Sequence, residues 1–196
     1  MFNMRKYIIH ILIISFVFIS MPVIHSAEEP RITLRSSYND LTVSQVQSMP
    51  NISIREKNDW GFYGHSTINH SYGLKVINGD KVVIDHATGL MWYQNGSDNY
   101  MKWNVVKQWV RGLNSRGHAG YSDWRLPTVE EAASLLESSK SNGLCIDHIF
   151  SNTQEWIWTG DEYGSEGAWG VHFSSGLVFW VNFASEFYVR PVRSGK

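Results

Sequence analysis

The sequence has 196 residues, 43% hydrophobic and 18% charged, enough apolar side chain for one packed domain of ordinary size, which excludes a chain disordered throughout. With 17 basic and 18 acidic side chains the formal charge is −1, which excludes a strong overall pull on nucleic acid or anionic polysaccharide. The single cysteine, Cys145, excludes an intrachain disulfide and a cysteine-based zinc site, and reads as a small buried hydrophobe.

Residues 1–26 read as a secretory signal peptide. Arg5 and Lys6 precede an apolar run over 7–19, and small residues follow at 26–27. The run is short for a membrane span of about 20 residues. Cleavage would leave 15 basic against 18 acidic residues, a charge of −3, and no stable span.

Residues 27–75 read as a loop-rich leader. Thr42-Val-Ser-Gln45 fits a capping box, in which a threonine and the glutamine three residues on satisfy each other's free backbone donors. Val43, Val46 and Met49 give that short helix its apolar face, and Pro50 stops it. Residues 51–73, rich in Asn, Ser, Gly and His, read as a connector with local turns. Asn51, Asn69 and Asn95 begin glycosylation-type triplets, which matter only in a host that uses them.

Residues 76–196 carry the regular pattern. Short strands are expected at 81–85 and 90–93, joined by the turn His86-Ala-Thr-Gly89, where Gly89 supplies a positive φ. Trp103, Val106, Val110 and Leu113 recur at helical spacing and predict a helix over 101–114. The stretch 119–128, AGYSDWRLPT, leads into a second helix. Pro127 stiffens its approach, Thr128-Val-Glu-Glu131 forms a second capping box, and Ala132, Leu135 and Leu136 carry its apolar face to about 138. Strands are expected at 156–159, 168–173, 176–183 and 187–192, with a hairpin turn at Ser174-Ser-Gly176. This order gives an α+β domain with two helices and an antiparallel or mixed sheet.

Four segments in order, Asp85-His-Ala-Thr-Gly-Leu-Met-Trp92, Trp103, 119–128 and Tyr188-Val-Arg-Pro-Val-Arg193, resemble the Lcl C-terminal-domain family of bacteria over residues 76–196. The resemblance implies a C-type-lectin-like fold, akin to the formylglycine-generating and sulfatase-modifying group. It also implies binding at the bacterial surface. The founding relative is an adhesin whose domain is implicated in binding sulfated glycosaminoglycans and in trimer formation. The chain departs from both better-understood branches. It has no Glu-Pro-Asn, Gln-Pro-Asp or Trp-Asn-Asp motif for calcium and sugar, and no cysteine pair. Fold alone therefore says little about activity.

The residues of these motifs are read as framework: Asp85, Thr88, Gly89, Trp92, Trp103, Asp123, Trp124, Arg125, Pro127, Thr128, Arg190 and Arg193. Arg190 and Arg193 are expected to pair with acids such as Asp85 or Asp123. The histidines at 65, 70, 86, 118, 148 and 172 show no HExxH or His-x-His spacing, so no metal is expected, although Asp147-His148 and His172 are free to meet in space. Asp161, Glu162 and Glu166 read as a solvated acidic loop rather than a calcium loop. No Gly-x-Ser-x-Gly and no phosphate-cradling loop occurs, so neither catalysis nor a cofactor is expected.

The aromatic cluster Trp156, Trp158, Tyr163, Trp169, Phe179 and Trp180 has two readings. Its rings fill the core, or one sheet face offers them as a ligand platform. Along 176–183, Leu177, Phe179 and Val181 share one face and Val178, Trp180 and Asn182 the other. The expected function is an exported, non-catalytic domain that recognises a glycan or a protein. The alternatives are an oligomerisation module, such as a homotrimer, and an unrecognised enzyme.

Overall fold

A computed structural model of the chain describes residues 31–195. The signal-peptide reading at 1–26 lies outside the described residues.

In chain order the elements are α1 (Val43–Val46), β1 (Ile52–Asn58), β2 (Gly61–Ser66), β3 (Tyr72–Ile77), β4 (Asp80–Asp85), β5 (Leu90–Tyr93), β6 (Met101–Lys102) and α2 (Trp103–Arg116). There follow α3 (Val129–Ser134), β7 (Trp156–Tyr163), β8 (Gly167–His172), β9 (Leu177–Asn182), β10 (Glu186–Phe187) and β11 (Val192–Ser194). This is an α+β arrangement. Its ladders are all antiparallel: a five-stranded sheet in the order β1-β2-β9-β8-β7, a four-stranded sheet in the order β11-β5-β4-β3, and the small pair β10-β6. No helix among the described residues is long and apolar enough to cross a membrane.

Both capping boxes form. Thr42 accepts from the Gln45 amide, Thr128 accepts from the Glu131 amide, and each partner side chain reaches back to the cap. α2 buries Trp103, Val106, Val110 and Leu113, and ends where Gly117 takes φ 66°, a left-handed conformation natural to glycine. The main core packs α3 against the five-stranded sheet, around Val129, Ala132, Leu136, Trp169 and Val178. A second cluster joins α2 to Leu126, Trp158 and Val189, and a third gathers Val82, Met91, Leu113 and Trp124. Cys145 is half-buried at the edge of the main core.

Three expectations need correction. Residues 51–73 are not a connector: β1 and β2 form a hairpin that pairs with β9, and β3 begins at Tyr72. The strand signal was hidden because β1 is an edge strand. Arg55, Glu56 and Lys57 face solvent, and a bulge between Ile54 and Glu56 breaks the alternation. The strand expected over 187–192 splits into β10 and β11, since Pro191 has no amide for a ladder and Arg190 turns fully inward. α3 stops at Ser134, short of the expected 138, with Leu135 as its C-cap.

Candidate functional site

The framework residues are placed by a few strong polar contacts. Asp85, 1% exposed, accepts from Thr88, from the Ala87 amide at 3.1 Å and from His70 at 2.8 Å. Burial pushes its carboxyl up, but the bonds from His70 and its neighbours outweigh burial and hold it below the ordinary carboxylate value. Gly89 closes the following turn at φ 71°. Trp92 is fully buried, and Trp103 donates to the Thr159 carbonyl at 3.1 Å. Asp123 takes a two-pronged contact from Arg193 at 2.6 and 3.1 Å, which holds its carboxyl low. Trp124 is buried and donates to the His118 carbonyl at 3.0 Å. Arg125 grips Glu131 at 2.7 and 2.6 Å, and the Pro127 carbonyl accepts from the Gly160 amide at 2.9 Å.

Arg193 thus pairs with Asp123, and it also lies 3.7 Å over the Tyr121 ring. Among the described residues Arg190 pairs with no acid. It donates to carbonyls of Gln94 and Ser151 and to Gln154 instead, because its inward turn at the β10–β11 break meets loop backbone.

The leader is locked to the domain by Asp161. Its carboxylate accepts from Arg35 through two 2.8 Å bonds, from the Asn39 amide at 2.7 Å and from the Val129 amide at 2.6 Å. Asp161 is therefore a buried hub and not part of a solvated acidic loop, whereas Glu166 is exposed. Just beyond, Tyr38 lies flat on Gly160. A Cβ at Gly160 would sit 2.2 Å from the Tyr38 ring, so only glycine admits it. Tyr38 also donates to the Leu126 carbonyl at 2.9 Å.

A run of clefts follows this seam. A cleft of about 400 Å³ is lined by Asp40, Leu41, Thr42, Tyr163, Gly164, Ser165 and Glu166. A second, of about 250 Å³, shares Asp40 with it and continues past Tyr38, Lys107 and Glu162. A third, of about 240 Å³, shares Tyr38, Lys107 and Gly160 with the second and ends on Val110, Arg111, Trp124 and Leu126.

The aromatic cluster divides between core and cleft. Trp158 and Trp169 are fully buried and Phe179 is 8% exposed, so these three are core and offer no platform. The cause is cover: Trp158 donates to the Met101 carbonyl at 2.8 Å, and Trp169 to the Leu41 carbonyl of the leader at 3.1 Å. Trp156 is half-buried under His172, their ring centres 3.4 Å apart. That histidine bonds Glu155, Ser174 and Ser175, while His148 sits exposed beside Asp147. Tyr163 and Trp180 are half-buried and stacked, centres 4.4 Å apart and planes within 15°, with Tyr163 on the rim of the 400 Å³ cleft. Trp60, 48% exposed, abuts them: its carbonyl accepts from the Trp180 amide at 3.0 Å.

Tyr38 and Trp60 escaped the sequence reading. Tyr38 is a lone ring in the polar stretch SSYND, and that isolation was the available signal; Trp60 stands next to Phe62 and Tyr63 and carried no such mark. Among the described residues, no group of three or more histidine, cysteine or acidic side chains converges as metal ligands would.

The family model described as the Lcl C-terminal domain matches residues 81–193, more than half of the chain. It spans β4 to Arg193 and includes the 160–166 wall of the clefts, but not the 38–42 wall. No match is found among curated proteins.

Proposed function

The chain belongs to the Lcl C-terminal domain family, and on that premise we propose that it is an exported, non-catalytic binding module. It holds a glycan or a protein in the cleft between residues 40–42 and 163–166. The observation that carries this reading is the half-buried Tyr163–Trp180 stack at the rim of the 400 Å³ cleft, beside acceptor groups. Flat rings take the apolar C–H face of a sugar or anchor a partner's side chain. One Asp40 oxygen is held by the Gly164 amide at 2.7 Å; its other oxygen and the exposed Glu166 carboxylate remain as acceptors for hydroxyl donors. Two acids at this rim disfavour a sulfated ligand there and favour a neutral, hydroxyl-rich one. The leader supplies one wall and the family domain the other, so the two form the site together.

Trp180→Ala and Tyr163→Ala are each expected to weaken the ligand found by a binding screen about tenfold to a hundredfold. Circular dichroism should report an unchanged fold. Unchanged affinity in both variants would remove the cleft from the account.

The second reading, an assembly module, is favoured by β3. It is an edge strand, and Leu74 and Val76 on it are 47% and 62% exposed. It predicts a multimeric mass by light scattering that falls on dilution. A constant monomer mass would dismiss it.

A further inference from the structure

The cleft at the far end of the seam has a different chemistry from the one beside Tyr163. Its floor is apolar, made by Val110, Trp124 and Leu126, with the Tyr38 ring at its mouth. Its rim is cationic. Lys107 and Arg111 stand one turn apart on α2 and both line it. Lys107 is partly engaged, 4.2 Å over the Trp103 ring and 3.9 Å from Glu162. Arg125, also on the lining, is taken up by Glu131. The Arg111 guanidinium has no acidic partner among the described residues, and it is exposed.

We propose that this cleft is a second binding site, for a small ligand consisting of one flat apolar ring that carries a carboxylate. The ring lies on Val110, Trp124 and Leu126, beside Tyr38, and the carboxylate meets the planar fork of Arg111, which matches two carboxylate oxygens at once. Size sets the limit. A cleft of about 240 Å³ admits one ring with its acid group and falls below the roughly 300 Å³ where pockets for drug-sized ligands begin. Charge selects within that size, since a neutral ring leaves Arg111 unanswered. Glu162 stands 3.9 Å from Lys107, and Glu131 is spent on Arg125. The site does not rest on the preceding reading, because neither Tyr163 nor Trp180 lines it.

The test is an NMR titration of the purified protein with 3-phenylpropionate and, separately, with its uncharged amide. The carboxylate is expected to shift the resonances of Val110, Trp124 and Leu126 and to bind about tenfold or more tightly than the amide. Arg111→Gln should bring the carboxylate down to the affinity of the amide, and Trp180→Ala should leave it unchanged. Equal binding of the two probes, no effect of Arg111→Gln, or shifts that map away from this cleft would each overturn the proposal.

Discussion

Asp161→Ala is expected to lower the free energy of unfolding by about 3–5 kcal/mol, the cost of leaving one partner of a buried ion pair without the other. The carboxylate is wholly buried, and its four hydrogen bonds come from three residues in two parts of the chain. Arg35 and Asn39 belong to the leader, and Val129 is the first residue of α3. Removing the carboxylate leaves a guanidinium that is only 22% exposed with Glu130, at 3.9 Å, as its remaining acid, and strands two amides, one of them at a helix start. Asp161→Asn keeps the volume and part of the acceptor capacity, so it should fall between the two. Urea unfolding of the three proteins measures this. A loss under about 1 kcal/mol in Asp161→Ala would mean that the leader is held elsewhere. The leader wall at 40–42 hangs from the same hub, so the variant should also weaken any ligand of the cleft between 40–42 and 163–166.

Arg190→Ala is the second large effect, at about 3 kcal/mol or more. The side chain is fully buried with no carboxylate beside it, and burial alone pushes its guanidinium down to about 9. It donates to Gln94, to Ser151 at 2.9 Å and to Gln154 at 3.3 Å, and lies 5.1 Å over the Phe150 ring. Alanine would leave the Ser151 carbonyl and the Gln154 side-chain oxygen without this donor, leave the Gln94 carbonyl with the Ser151 amide at 3.3 Å, and open a cavity between the β10–β11 break and the 149–154 loop. Arg190→Met restores volume and no donors. If Met recovers most of the loss, packing dominates; if it does not, the hydrogen bonds do. Both variants as stable as the parent would show that the buried guanidinium holds nothing together.

Much of this fold was legible because its signals are local. The spacing of Trp103, Val106, Val110 and Leu113 fixes the buried face of α2, and the two Thr-x-x-Gln/Glu boxes fix where α1 and α3 start. What was hidden depends on partners distant in sequence. β1 reads as connector because an edge strand keeps charges outward, and the pairing of β2 with β9 leaves no mark in 51–66 itself.

The same gap misled the aromatic platform. Trp169 and Trp180 are cross-strand partners on one face of the sheet, yet one is buried and the other half-exposed. The difference is the leader, whose Leu41 carbonyl caps Trp169. Alternation along β8 and β9 tells which rings share a face. It does not tell which of them the chain covers. The site residues that sequence reading did reach, Tyr163 and Trp180, stand where that cover ends.

The most direct test of the binding role is a glycan-array screen of the purified protein beside Trp180→Ala, with mass by light scattering on the same samples. The account predicts a reproducible class of neutral, hydroxyl-rich sugars bound by the parent and lost, by about tenfold or more, in the variant. Equal binding by both proteins would contradict it, as would silence from the parent, which in a stable multimer would turn the account toward assembly through β3.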